Sequence, residues 1–146
     1  MPTLTPDQLA ALNFGYLNGQ DILQYCSTQI LIKQYEVNQN ILQQGCDNAY
    51  SEMIGYFKTK YDVAREFNMV SGPRQQIVVK LTAILAIRDI LGNMAGLGDV
   101  TKGNFAWADD IIARTQDGLF NLPLYAADIS IVSGAGLVRQ NFGTLG

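Results

Sequence analysis

The stretch "IVVKLTAILAIRDIL" sets the strongest limit on how this chain folds. Ile77, Val78, Leu81, Ile84, Leu85, Ile87 and Leu91 leave no polar face at helical spacing, and a helix that is apolar all round has to be covered on several sides. The run is too short for a membrane span and contains Lys80, so the cover has to come from the protein itself. The sequence therefore predicts a central helix inside a bundle. Gly72 ahead of Pro73 predicts its start, with the proline at the first helical position, and Gly92 with Asn93 predicts its end.

The covering elements are legible on either side. Val37, Ile41, Leu42, Cys46, Ala49, Tyr50, Met53, Phe57 and Tyr61 recur at three- and four-residue steps, with Asn38, Gln39, Gln43, Asp47, Glu52 and Lys58 between them. That pattern predicts a long amphipathic helix, packed on the central one through Met53, Phe57, Leu81 and Leu85. Gly45 costs this helix about 1 kcal/mol relative to alanine, which points to close packing or a bend. A further helix is predicted from about Asn104 to Asp117, with Phe105, Ala108, Ile111, Ile112 and Thr115 inward and Gly118 as the residue just past its end. At the start of the chain, Thr5 and Gln8 form a capping box around Pro6, predicting a short helix to Leu12; a second is predicted over Asp21 to Tyr25. "TQILIKQYEV" is compatible with strand or helix.

The remaining features exclude more than they assign. At 146 residues the chain fits one domain, and a net charge of −3 argues against gripping nucleic acid through its phosphates. There is no histidine, which removes the commonest general base and most zinc sites. Cys26 and Cys46 read as reduced core thiols of a cytosolic protein. No signal peptide is visible in Met1 to Leu12, so a soluble, intracellular product is expected. "GNMAGLGD" has the glycines of a phosphate loop but no Lys-Ser/Thr, and it follows a helix, so a helix-to-helix turn is predicted. Asp109 and Asp110 point about 100° apart on a helix and are expected to interact with its dipole rather than clamp a metal. Trp107, Tyr50, Tyr56 and Tyr61 are expected in core or interface. Lys58, Lys60 and Arg65, interleaved with Asp62 and Glu66, read as a solvated face or ion pairs. No catalytic, cofactor-binding or metal-binding constellation emerges, so no cofactor and no enzymatic activity are expected.

The last segment asks for a partner. "DISIVSGAGLVRQNFGTLG" carries Ile129, Ile131, Val132, Leu137, Val138 and Phe142 with almost no charge. Its first half alternates as a half-buried strand does, and its glycines disfavour helix. The expectation is an all-α fold: a compact bundle of about four to five helices over residues 1–124, with an extended C-terminal arm, 125–146, able to form a β-strand with a neighbour and to serve as a subunit or partner interface.

Within this frame "AYSEMIGYFKTKYD", with Ala49, Ile54, Tyr56, Lys60 and Tyr61, resembles the "A-x-x-x-I-x-x-Y-x-x-x-[RK]-Y" helix of small phage head–tail connector (adaptor, head-completion) proteins, including the Mu-like prophage connector group. "IVVKLTAILAIRDIL" and "FAWADDIIARTQDGLFNLPL" resemble, in order, the next two helices of that group, so the resemblance covers roughly residues 40 to 124. The longer N-terminal forty residues and the glycine-rich arm depart from the pattern. The resemblance implies a structural virion protein of the head–tail neck, made in the bacterial host cytoplasm. It implies a homo-oligomeric ring, commonly twelvefold, beneath the portal protein, extending the DNA channel and docking the next neck or tail protein. DNA would pass without specific binding, and no membrane is involved. The alternative expectation is a helical regulatory adaptor outside the virion that oligomerises through the same arm.

Overall fold

The computed structural model describes residues 3–69, 73–92 and 97–127. The apolar arm positions Ile129, Ile131, Val132, Leu137, Val138 and Phe142 lie outside the described residues, as does the predicted strand.

The fold is all-α, with seven helices and no strand among the described residues: α1 (Pro6–Ala11), α2 (Gly19–Leu23), α3 (Thr28–Val37), α4 (Ile41–Phe57), α5 (Val63–Phe67), α6 (Gln76–Leu91) and α7 (Asp99–Gln116). The all-round apolar run is the centre of the bundle. In α6, Val78, Leu81, Ile84, Leu85, Ile87 and Ile90 are all buried, and α4 is its principal neighbour. From α4 come Leu42, Cys46, Ala49, Met53 and Phe57, at the spacing of one helix face, and all are buried. The two axes come close because Gly45 lets them: a Cβ there would stand 2.4 Å from Ile90 Cγ1 and 3.1 Å from the Ala86 carbonyl oxygen. Close packing, rather than a bend, is what this glycine serves. α7, in contact with both α6 and α4, buries Ala108, Ile111, Ile112 and Thr115, and Gly118 follows it at φ +78°.

The N-terminal residues form a small unit of their own. The Thr5–Gln8 capping box starts α1 as predicted, and a second box, Asn18 with Asp21, starts α2. Between them Asn13 and Asn18 pair across a tight turn that holds Gly15 at φ +100°. The two helices then touch at the backbone, where Gly19 lies against Leu9.

Several boundaries differ from expectation. The ambiguous segment is helix α3, and Val37 ends it at 84% exposure instead of joining the buried face of α4. Tyr61 likewise lies past the end of α4, and α2 begins two residues earlier than predicted, at Gly19. Pro73 does not open α6, which starts three residues later. α7 begins at Asp99, so Asp109 and Asp110 sit mid-helix, away from its N-terminal dipole; they pair instead with Arg88 (2.7 Å) and Arg114 (3.0 Å). Gly92 caps α6 and Gly98 caps α7, as a helix-to-helix connection requires.

Candidate functional site

The five positions of the resemblance separate into a core residue and a cluster at one end of α4. Ala49 is wholly buried, and Ile54 is 38% exposed. Tyr56, Lys60 and Tyr61 gather the end of α7 and the chain that follows it. The Tyr56 carbonyl accepts from Gln116 Nε2 at 3.2 Å, Lys60 Nζ donates to the Thr115 carbonyl at 2.7 Å, and Tyr61 Oη accepts from the Leu122 amide at 3.1 Å. The backbone completes the join. Ala127 N–H donates to the Lys60 carbonyl (2.9 Å), and Asp62 N–H to the Tyr125 carbonyl (2.7 Å), so Tyr61 and Ala126 face each other in an antiparallel bridge. The Arg65 guanidinium lies 3.7 Å from the centroid of the Tyr125 ring, a stacking contact on the same join. Residues 125–127, the last described, are thus fixed to the bundle.

Of the charges around this join Lys58, Asp62 and Arg65 are exposed, as a solvated face requires, and Glu66 is the exception. Asp62 caps α5 by accepting from the Arg65 amide, and Glu66 is 2% exposed. Its Oε2 accepts from Tyr16 Oη at 2.5 Å and from the Gln75 amide at 3.1 Å, just ahead of α6. An anion at a helix N-terminus is stabilised by the dipole as well. Burial first, and then the hydrogen bond to this carboxylate, push the Tyr16 phenol up out of its ordinary range. Beside it Arg74 grips Asp21 through Nη1 (2.6 Å) and Nη2 (3.2 Å) and also donates to the Tyr16 carbonyl at 2.9 Å. These four side chains tie the N-terminal unit to α5 and to the approach to α6. Both carboxylates accept hydrogen bonds from inside the fold, so the network braces more readily than it reacts. The Asn18–Asp21 spacing in the sequence signals the cap, but nothing in it signals the bridge to Arg74, more than fifty residues away.

Next to this brace lies a cleft of about 360 Å³. Phe67 stands between Tyr16 and Tyr50, at centroid distances of 4.9 and 5.1 Å, and Phe14 and Ile54 extend the apolar wall. Tyr50 Oη is used in both directions, donating to the Phe14 carbonyl (2.7 Å) and accepting from the Leu17 amide (3.0 Å). Asp47 and Asn68 lie on the rim. Of the other aromatic candidates, Trp107 packs under Lys80, whose Nζ is 4.2 Å from the ring centroid.

Both thiols are free; burial pushes Cys46 up to about 12 and Cys26 up to about 11, so both are protonated at neutral pH and poorly nucleophilic. Among the described residues no group of three or more Cys, Asp or Glu side chains is placed to hold a metal ion, and no helix is long and apolar enough to cross a membrane. No protein-family model, no curated protein and no solved structure matches this chain.

Proposed function

We propose that this protein is a structural head–tail connector of a phage virion, a ring of identical subunits beneath the portal that extends the DNA channel and docks the next neck or tail component. The observation that carries the reading is the convergence of Tyr56, Lys60 and Tyr61, three of the five positions of the connector-like pattern, on the base of the apolar arm. A helix pattern that fixes the departure point of a partner-seeking segment is what a subunit of a ring needs. The net charge of −3 agrees with a conduit along which DNA moves without sticking. The burial of Glu66, Tyr16 and Asp21, with Arg74 paired to Asp21 at their edge, supports a shape-bearing role over a catalytic one.

Native mass spectrometry of the full chain, alone and mixed with a portal protein found in the same genome, tests the reading. A closed oligomer of many copies, twelve by the resemblance, that binds the portal is the expected result. A chain that stays monomeric or dimeric and ignores the portal overturns it in favour of the regulatory adaptor.

A further inference from the structure

The aromatic cleft lacks the chemistry of a polar ligand site. Both hydroxyls near it are engaged inside the fold, Tyr50 Oη with Phe14 and Leu17, and Tyr16 Oη with Glu66. What remains to an occupant is ring faces, the Ile54 side chain, the Asn68 carboxamide on the rim and one formal charge, Asp47, one of whose oxygens already accepts from Gln43 Nε2 at 2.9 Å. Such a cleft calls for an apolar anchor with a cation beside it. The chain supplies that combination once beyond Ala127. Residues 137–142 read "LVRQNF", in which Leu137, Val138 and Phe142 surround Arg139, the only basic residue of the arm.

We infer that the cleft formed by Phe14, Tyr16, Tyr50, Ile54 and Phe67 receives the segment Leu137–Phe142 from a second copy of this chain, with Phe142 as the anchor and Arg139 facing Asp47. Reach permits an exchange between copies. Leu137 lies ten positions beyond Ala127, enough for about 33 Å of chain. A bundle of this size has a radius of gyration of about 14 Å and is roughly 35 Å across, so the segment extends to the surface of an abutting copy. Each copy then offers one arm and one cleft, with the base of the arm and a wall of the cleft both on α5, and the arm of one copy fills the cleft of the next. A contact of that kind is head-to-tail, and repeated with a closing rotation it makes a ring. The inference rests on the ring reading and names the surface through which the ring is joined.

Sedimentation velocity on the full chain tests it. Asp47 is exposed, so Asp47→Lys leaves the core intact; it weakens self-association about five-fold by placing like charges together. Arg139→Asp weakens it similarly, and the double variant Asp47→Lys with Arg139→Asp recovers association to within about two-fold of the parent. Phe142→Ala, which removes the anchor, weakens association about tenfold. Copies carrying Asp47→Lys, mixed with copies carrying Phe142→Ala, form a one-to-one complex, because one intact arm still meets one intact cleft. Association that ignores all of these changes overturns the inference and leaves the ring standing. Failure of the mixed copies to pair, with recovery in the double variant, shows that the arm fills its own cleft and overturns it too. A parent chain that does not self-associate at any concentration removes the ring itself.

Discussion

Gly19→Ala is the substitution expected to do most damage for the fewest atoms. A Cβ on residue 19 would stand 1.8 Å from the Leu9 carbonyl oxygen and 2.8 Å from its carbon. An ordinary carbon–oxygen contact is about 3.3 Å, so the shortfall is roughly 1.5 Å. The obstacle is backbone, and no rotamer change relieves it. α1 and α2 are also joined at their near ends, where Gly19 N–H donates to the Leu12 carbonyl (2.8 Å) and Phe14 N–H to the Leu17 carbonyl (2.9 Å). To separate, α1 has to lift, unseating Leu9, which is 1% exposed. Losing that side chain's burial costs about 1.5–3 kcal/mol, and a lost backbone hydrogen bond adds about 1 kcal/mol. Replacing a helical glycine by alanine returns at most about 1 kcal/mol, so the net loss is at least about 1.5–3 kcal/mol. Urea melts followed by circular dichroism give the measurement, with Gly55→Ala as the matched control. Gly55 is also helical, but a Cβ there meets nothing within 4 Å, and the substitution should stabilise by about 0.5–1 kcal/mol. If Gly19→Ala melts within about 0.5 kcal/mol of the parent, α1 and α2 do not meet at the backbone and the reasoning fails.

Leu85→Ala, at the centre of the core and 1% exposed, should cost about 2–5 kcal/mol in the same melts. Arg74→Ala leaves the nearly buried Asp21 carboxylate and the Tyr16 carbonyl short of a donor, and a loss of about 2–3 kcal/mol is expected, read as a lower urea midpoint. Burial raises Tyr16 and Cys46 above their unfolded values, so the native state keeps protons that the unfolded chain releases. Their contribution is therefore complete below about pH 8.5 and falls as the pH rises, by up to about 1.4 kcal/mol per pH unit for each group once it is ionised in the unfolded chain. Tyr16→Phe should flatten the alkaline decline above about pH 10 in melts taken from pH 8 to 12. Fluorescence anisotropy with duplex DNA should show at most weak, salt-sensitive binding; submicromolar affinity at physiological salt would contradict the conduit.

How much of this was legible depended on how far each signal reached along the chain. α6 and α4 could be read because burial repeats over four or more turns, and a long period is hard to mistake. α5 was not read, since five residues behind the Asp62 cap contain too little period to register. Pro73 misled because the local preference for helix yields to a distant contact. The chain through Arg74 stays out of helix while its guanidinium reaches back to Asp21, and α6 waits until Gln76. Gly103 concealed the true start of α7; it lies within the helix with open space around it, so its propensity cost is met by packing elsewhere. Glu66 looked like one charge among several on a surface. Its burial follows from Tyr16, fifty residues earlier, which sequence spacing does not reveal. The cleft was invisible for the same reason, because its rings come from the N-terminal unit, α4 and α5.

The absence of a polar face on α6 has a consequence during synthesis. α6 is complete at Leu91, but α7, one of the helices that cover it, ends at Gln116, twenty-five residues later. At a translation rate of about 5–20 residues per second, the nascent chain spends roughly one to five seconds with that side of α6 made but uncovered. During that interval the most apolar segment of the protein is available to other nascent chains and to chaperones. Chains released before Gln116 are therefore expected to precipitate, whereas chains that continue to Ala127 close the bundle over α6.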